Sequence, residues 1–194
     1  MTRAKQAVSM KDARVLKTEV LVPTPKRFVR ELVEMPDGYR CDWYFTDTPP
    51  SVMIVPVTKD GNLVLVRQYR HNLKDHVLEF PAGTVSVDEE PEAAAERELR
   101  EETGYALAAR AAMKPMGTYY SLPSETNKYT HVFLASPVAA AGEATGDTEI
   151  EKYFDMSVEV RGRREVLSAI GDAVIGTETI TAFTLAQQTL GTSL

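Results

Sequence analysis

The stretch from residue 83 to residue 105, GTVSVDEEPEAAAERELREETGY, constrains the fold of this chain more than any other. Pro91 suits the first turn of a helix, acidic residues crowd that turn, and Gly104 suits the position just after a helix end. The stretch therefore predicts a loop that leads into one short, highly charged helix.

The carboxylates of this predicted helix are spaced so that several meet on one side. Glu98 and Glu102 lie four residues apart and therefore share a face, which Glu101 borders. Like charges in this arrangement repel each other, and a hard divalent ion such as Mg²⁺, which binds carboxylates, water and substrate phosphates, offsets that cost. The alternative is a solvated helix with ion pairs four residues apart, such as Arg97 with Glu101.

The spacing of nine residues in this stretch favours a metal site over a solvated helix. In chain order, these positions, which are fixed in the pattern named next, are Gly83, Glu89, Arg97, Glu98, Leu99, Glu101, Glu102, Gly104 and Tyr105. The pattern resembles the Nudix box of Nudix hydrolases at every fixed position, and Tyr105 stands where the family usually carries an aliphatic residue. The resemblance continues more weakly from Trp43 to Leu185.

The resemblance implies a divalent metal site, with Mg²⁺ as the expected ion and Mn²⁺ as the alternative. Its candidate ligands are the backbone carbonyl of Ala82 and the side chains of Glu98, Glu101 and Glu102, with Glu101 assigned to a second or third ion. Arg97 is implied as a structural residue that holds a carboxylate and the loop in place. Glu89 is the least direct member, because an acid near the start of a helix also complements the helix dipole.

Two further segments, VRQYR at residues 66–70 and LEFPAG at residues 78–83, resemble ADP-ribose pyrophosphatases. In that branch of the family the last arginine of the first segment faces the diphosphate, so Arg70 is the expected diphosphate ligand. Its forked donors suit that role, and the alternative is an exposed arginine at a strand end. Gln68 and Glu79, from the same two segments, are expected in the substrate site as well.

Trp43 is the only tryptophan, and it lies in the segment where relatives place an aromatic side chain that stacks on the purine base, sometimes across a dimer interface. Stacking on a base contributes about 1–3 kcal/mol. The alternative is a core aromatic residue of an ordinary strand.

The loop after the box differs from the relatives that prefer ADP-ribose. It reads Leu122-Pro123-Ser124, where those relatives tend to show Ser-Pro-Gly. Relatives also supply a late acidic residue as general base or extra metal ligand. We expect Glu149 in this role, and the alternatives along the chain are Asp147, Glu151 and Glu125. Each of these acids has an ordinary solvated position in a loop as its competing interpretation.

The pattern of predicted elements indicates an α+β layered domain. Strands are expected over residues 15–23, 27–35, 39–46, 51–58, 62–69, 77–80, 115–120, 129–137 and 151–156, and helices over the box, 163–172 and 179–190. The resemblance implies an α/β/α Nudix sandwich with a mixed sheet, preceded by an antiparallel β extension.

Two parts are expected along the chain. Residues 1–50 would form the N-terminal tail and the β extension, for dimerisation and base binding, and residues 51–194 would form the Nudix domain. We expect an isologous homodimer, because the extension has no helix of its own to cover it and packs on a second subunit in the nucleotide-sugar branch.

Charge and composition narrow the possible partners. A net charge of −6 and a pI near 5.2 argue against nucleic acid, which would need a basic face. No apolar run approaches the roughly 18 residues of a membrane span, so no membrane partner is expected. Because Cys41 is the only cysteine and the N-terminal segment is polar, we expect a cytoplasmic protein.

Together these features predict a Mg²⁺-dependent hydrolase of a small-molecule nucleotide sugar, most of all ADP-ribose, with AMP and ribose 5-phosphate as products. The same-class alternative is another sugar such as GDP-mannose or ADP-glucose. The different-class alternative is a Nudix-fold sensor without turnover, against which the intact set Glu98, Glu101 and Glu102 argues. The N-terminal extension and LEFPAG argue against a hydrolase of oxidised nucleoside triphosphates.

Overall fold

The structure is a computed structural model, and it describes residues 9–23, 27–146 and 153–190. The chain divides into two compact units. The first contains the residues up to Thr48 together with Leu122–Lys128, and the second contains Pro49–Ser121 and the residues from Tyr129 onward. None of the helices in the described ranges combines the length and the apolar character that a membrane crossing requires.

The first unit is built on a three-stranded antiparallel sheet of β1 (Arg14–Val22), β2 (Arg27–Glu34) and β3 (Arg40–Asp47), in that order. The predicted N-terminal extension is thereby confirmed. The turn between β2 and β3 closes where the Gly38 N–H donates to the carbonyl of Met35 at 2.9 Å, and Gly38 has a φ of 88°, which glycine adopts without steric cost.

The second unit carries the remaining elements. Its strands are β4 (Ser51–Thr58), β5 (Leu63–Arg70), β6 (Asp75–Glu79), β7 (Ala82–Thr84), β8 (Tyr105–Tyr120), β9 (Tyr129–Ala140) and β10 (Ser157–Arg161). Its helices are α1 (Pro91–Thr103), α2 (Arg163–Ser168) and α3 (Thr177–Leu190). The sheet runs in the order β10-β5-β4-β9-β8, while β6 pairs with β5 and β7 pairs with β4. Because β4 and β9 are parallel and the other pairs are antiparallel, the sheet is mixed, as predicted.

The central strand β4 is buried on both faces, and its alternate side chains serve two different cores. Val52 and Ile54 pack in a cluster with Ala94, Ala95 and Leu99 of α1. The intervening side chains of β4, those of Met53, Val55 and Val57, pack in a second cluster. This cluster also contains Val166 of α2 and Ala182, Phe183 and Ala186 of α3. Each fully buried aliphatic side chain contributes about 1.5–3 kcal/mol. Helices therefore cover both faces of the sheet, which confirms the α/β/α sandwich.

Strand β8 is longer than the sequence predicted, because it begins at Tyr105 rather than at residue 115. The added part is rich in alanine, which has low strand propensity and the highest helix propensity. Pairing with β9 overrides that preference, since Tyr105 pairs with Ala140 and Leu107 with Val138 before the register shifts.

The last strand was also predicted in the wrong place. The prediction covered residues 151–156, of which residues 153–156 are described and are not in a strand. The strand is β10, whose Val158 and Val160 alternate with polar residues and pair with β5. Helix α2 ends at Ser168, four residues before the predicted end, and a turn follows in which the Gly171 N–H donates to Val174.

Candidate active site

The charged helix α1 begins and ends where the sequence predicted. Pro91 occupies its first turn, where a missing N–H costs nothing. Gly104 ends it in the left-handed conformation, with a φ of 70°, and donates its N–H to the carbonyl of Arg100 at 2.9 Å. Pro91 and Gly104 therefore set the two ends of the helix and determine which glutamates lie in its last turns.

Glu98 is buried against the backbone of β7. It is 6% exposed, although it carries a charge. A Cβ atom at Gly83 would lie 1.9 Å from Glu98 Oε1, so any residue other than glycine at position 83 would displace this carboxylate. The glycine that opens the box thus provides the space that the carboxylate occupies.

Glu102 contacts the same short strand one residue earlier. Its Oε2 accepts a hydrogen bond of 2.9 Å from the backbone N–H of Ala82. Glu98 and Glu102 therefore both lie against β7, which agrees with the predicted shared face, and Glu102 contacts the residue whose carbonyl was expected to be a metal ligand.

Arg97 joins the carboxylates to the loop. Its Nη1 donates to Glu98 Oε1 at 2.8 Å and to Glu101 Oε2 at 3.0 Å. Its Nε donates to Glu89 Oε1 at 2.9 Å, and its Nη2 donates to Glu89 Oε2 and to the carbonyl of Thr84, both at 3.1 Å. One guanidinium thus ties three carboxylates to the loop that precedes the helix.

These contacts shift the pKa values of both Glu89 and Arg97. The Arg97 hydrogen bonds, followed by the N–H of Ser86, lower the pKa of Glu89 to about 2 from its ordinary value of 4.5. The pKa of Arg97 is raised, chiefly by its hydrogen bonds to Glu89. Glu89, the least direct member in the sequence analysis, therefore contributes most to the raised pKa of Arg97 through its hydrogen bonds.

The donor set at β7 suits a hard divalent ion. Within the described ranges, no group of three or more His, Cys, Asp or Glu side chains is arranged to hold a metal. Magnesium needs no such group, since one or two carboxylates, water and substrate phosphates complete its octahedral shell. Glu98, Glu102 and the carbonyl of Ala82 supply oxygen donors of the required type.

The structure brings together the three residues expected in the substrate site of this unit. Gln68 and Arg70 on β5 both donate to one oxygen of Glu79, which ends β6. Trp43 lies on β3 in the first unit, and its side chain is 45% exposed, so it is not a core aromatic of the chain.

The candidates for the late acid lie in two places. Asp147, Glu149 and Glu151 are outside the described residues. Glu125 lies in the first unit, where its carbonyl accepts a hydrogen bond of 2.8 Å from Thr46 and its side chain is exposed.

Sequence analysis missed the two groups that complete the loop contacts. Thr84 accepts through its carbonyl, and Ser86 donates through its backbone N–H to Glu89 at 2.9 Å. Both of these hydrogen bonds use backbone groups, which residue types do not reveal.

The depressed pKa of Glu89 makes the stability of this loop depend on pH. A carboxyl group whose pKa is lower in the folded state stabilises above its unfolded pKa of 4.5, and this contribution disappears as pH falls through the folded pKa of about 2. Glu89→Gln should therefore lower the urea midpoint at about pH 6, and the gap from the parent protein should shrink towards about pH 2.5.

The matched control for this prediction is Glu92→Gln, which removes an exposed carboxylate from the first turn of the same helix without touching Arg97. A gap for Glu89→Gln that is as large at low pH as near neutrality would contradict the assigned ion pair.

Three comparisons bear on the identity of the chain. The NUDIX domain family model matches residues 47–165. An ADP-ribose pyrophosphatase of Bacillus subtilis is 34% identical over 113 residues, which are 58% of this chain and 60% of that protein. A methanol dehydrogenase activator of Bacillus methanolicus is 30% identical over 124 residues, which are 64% of this chain and 65% of that protein. The chain thus spans less than two thirds of each of these relatives.

A solved structure shares the fold. The crystal structure of an ADP compounds hydrolase superposes with a TM-score of 0.77 at 21% identity, covering 94% of this chain and 96% of that one. The family model covers more than half of the chain and includes the whole of α1 and its loop. The chain therefore belongs to the NUDIX domain family.

Proposed function

We propose that this chain is a Mg²⁺-dependent hydrolase that cleaves the diphosphate of a nucleoside diphosphate sugar, most of all ADP-ribose, to AMP and ribose 5-phosphate. The observation that carries the proposal is the pair Glu98 and Glu102, both held against β7 beside the Ala82 carbonyl. The similarity to the Bacillus subtilis protein, whose name is ADP-ribose pyrophosphatase, supports the choice of substrate.

Each residue at the site has a role that its contacts support. Glu98, Glu102 and the Ala82 carbonyl would hold one ion, and Glu101 would contribute to another. A bound divalent ion neutralises charge on the phosphates and lowers the pKa of a bound water. Arg97 keeps the carboxylates attached to the loop through its bond to Thr84.

The diphosphate itself needs a donor from the protein. Arg70 is suited to it, because its side chain is 44% exposed and a guanidinium presents parallel N–H groups to phosphate oxygens. Glu149 is the proposed general base, with Asp147, Glu151 and Glu125 as alternatives. Location in the cytoplasm stays a prediction from the single cysteine.

Replacement of one ligand tests the metal site. Glu98→Gln keeps the shape of the side chain and removes its charge, so turnover of ADP-ribose with Mg²⁺ should fall by roughly 10²- to 10⁴-fold, as the loss of several kcal/mol of charge stabilisation implies. Glu96→Gln is the control, because it removes an exposed carboxylate from the same helix.

The assay should follow phosphate-linked products from ADP-ribose, ADP-glucose, GDP-mannose and a nucleoside triphosphate, with Mg²⁺ and with a chelator. Circular dichroism should establish that each variant is folded. A folded Glu98→Gln variant with near-normal activity would contradict the assignment of Glu98 as a metal ligand. Binding of ADP-ribose by the parent chain without any turnover would favour the alternative of a Nudix-fold sensor.

Loss of base recognition and loss of diphosphate recognition should change different kinetic parameters. Trp43→Ala should mainly raise KM, by roughly 5- to 150-fold for a lost stacking energy of about 1–3 kcal/mol, because a base stacks equally well in ground and transition states. Arg70→Ala should also lower kcat, because charge on the diphosphate grows during the reaction.

Tyr39→Ala is the control for Trp43→Ala, since Tyr39 is another exposed aromatic residue of the first unit. Steady-state kinetics on ADP-ribose separate the two parameters. An unchanged KM in Trp43→Ala would remove Trp43 from base binding.

Assembly is the remaining part of the proposal. Residues 1–50 would form the dimerisation and base-binding part, and residues 51–194 the Nudix domain. Several apolar side chains of β1, β2 and β3 are exposed in the single chain, namely Val15, Leu16, Val20, Leu21, Val22, Phe28, Trp43 and Tyr44. Large apolar side chains exposed in this number are typical of an interface, and an isologous contact would bury two copies of them at once.

Light scattering at micromolar concentration should therefore give the mass of a dimer. Leu21→Glu should shift the mass towards the monomer, whereas Leu73→Glu, at an exposed position of the second unit, should not. A monomeric mass for the parent chain would rule out this assembly.

A further inference from the structure

Glu79 is the shared acceptor of a small polar cluster between β5 and β6. Its Oε2 accepts from Gln68 Nε2 at 3.0 Å and from Arg70 Nε at 2.9 Å, and it also accepts from Arg70 Nη2. One carboxylate oxygen thus receives three donors, two of them from the same guanidinium. Because two donors of one guanidinium converge on the same carboxylate oxygen, Glu79 restricts the orientation of the Arg70 side chain.

The position of Glu79 is itself fixed from several sides. It lies opposite Val66 in the β5–β6 ladder, and its side chain is only 16% exposed. Gln68 is 4% exposed, so its amide needs an internal partner, and Glu79 supplies one. A Cβ atom placed on Gly176 would lie 3.4 Å from Glu79 Oε1, so the chain just before α3 passes near the other oxygen.

Arg70, by contrast, keeps donors available. A guanidinium carries five N–H groups, and Glu79 takes one from Nε and one from Nη2. Among the described residues, none accepts a hydrogen bond from Arg70 Nη1. The carboxylate thus binds one edge of the guanidinium and leaves the rest of it, on a side chain that is 44% exposed, for a ligand.

The strand pattern places this cluster on the face of the sheet that carries α1. Side chains alternate along β5, so Gln68 and Arg70 share a face with Val64, which packs in the same cluster as Leu99 of α1. Glu79 is opposite Val66 and points to that face as well. The donors of Arg70 and the acids of α1 are therefore presented on one side of the sheet.

We propose that Glu79 is a positioning residue that acts on the substrate through Arg70 rather than by direct contact. This deepens the proposed function and rests on it, because it assumes that Arg70 binds the diphosphate. It also differs from the expectation that Glu79 is itself a substrate ligand. Glu79 would hold the guanidinium in the orientation that the diphosphate requires, so that less conformational freedom is lost on binding.

A double-mutant cycle distinguishes positioning from direct contact. Glu79→Gln alone should lower kcat/KM for ADP-ribose by about 3- to 30-fold, the range for a charge-assisted bond discounted for its partial exposure. In the Arg70→Ala background, the same change should alter kcat/KM by less than about 2-fold, because the group through which Glu79 acts is absent. Glu159→Gln is the control, since Glu159 pairs with Arg161 on β10 of the same sheet.

Two outcomes of the cycle would overturn the proposal. A reduction of equal size in both backgrounds would mean that Glu79 contacts the substrate itself or supports the fold. An increase in kcat/KM for Glu79→Gln would mean that Glu79 only weakens the positive charge of Arg70. Unfolding midpoints of the four proteins exclude a general loss of stability as the cause.

A readout without turnover separates this proposal from the proposed function. Hydrogen exchange at the Nε–H of Arg70, followed by nuclear magnetic resonance, should be slower in the parent chain than in Glu79→Gln. If the parent chain hydrolyses no nucleotide sugar, the proposed function fails, and the cycle is then measured as the dissociation constant of ADP with Mg²⁺. Equal exchange rates in the two proteins, or a Glu79→Gln effect on ADP binding that persists without Arg70, would refute the positioning role.

Discussion

A buried carboxylate is the constraint on which the site depends. Glu98 is almost inaccessible to solvent, Arg97 donates a hydrogen bond to its carboxylate, and Gly83 leaves room for it. Removal of Arg97 would leave this carboxylate without that donor, and a buried charge that loses a partner destabilises the fold. The loop, the short strand β7 and α1 are therefore not separate features. Together they hold the acidic groups of the site close to one another.

The features of the site that could be predicted are those in which a residue type determines local geometry. Pro91 and Gly104 defined α1 from the sequence, because a proline fits only the first turn and a glycine readily adopts the left-handed conformation. The four-residue spacing of Glu98 and Glu102 then predicted that both carboxylates lie on one face of α1. The alanine-rich start of β8 could not be predicted in the same way, because its strand conformation depends on pairing with β9 rather than on its own propensity.

The contacts of Glu79, like the start of β8, could not be predicted from residue types along the chain. The sequence placed Gln68, Arg70 and Glu79 in one region by resemblance, but the way in which they share one oxygen follows from the register of β5 against β6. A shift of one residue would turn Glu79 to the opposite face and leave the buried amide of Gln68 without this acceptor. Register is a property of the assembled sheet, so it lies beyond what spacing along a chain can predict.

The two arginines show how an acidic protein can present cationic groups for different purposes. Arg97 is 28% exposed and spends its donors on three carboxylates and a carbonyl, whereas Arg70 is 44% exposed and is held by a single carboxylate. Arg97 pairs with three carboxylates, those of Glu89, Glu98 and Glu101, and Glu102 lies on the same helix, so the local charge stays negative. A diphosphate brought to this place would be repelled, because like charges close together at low exposure are poorly screened. On the proposed function, bound divalent cations would reverse that sign, so metal binding at this place would be a condition for substrate binding as well as for the chemical step.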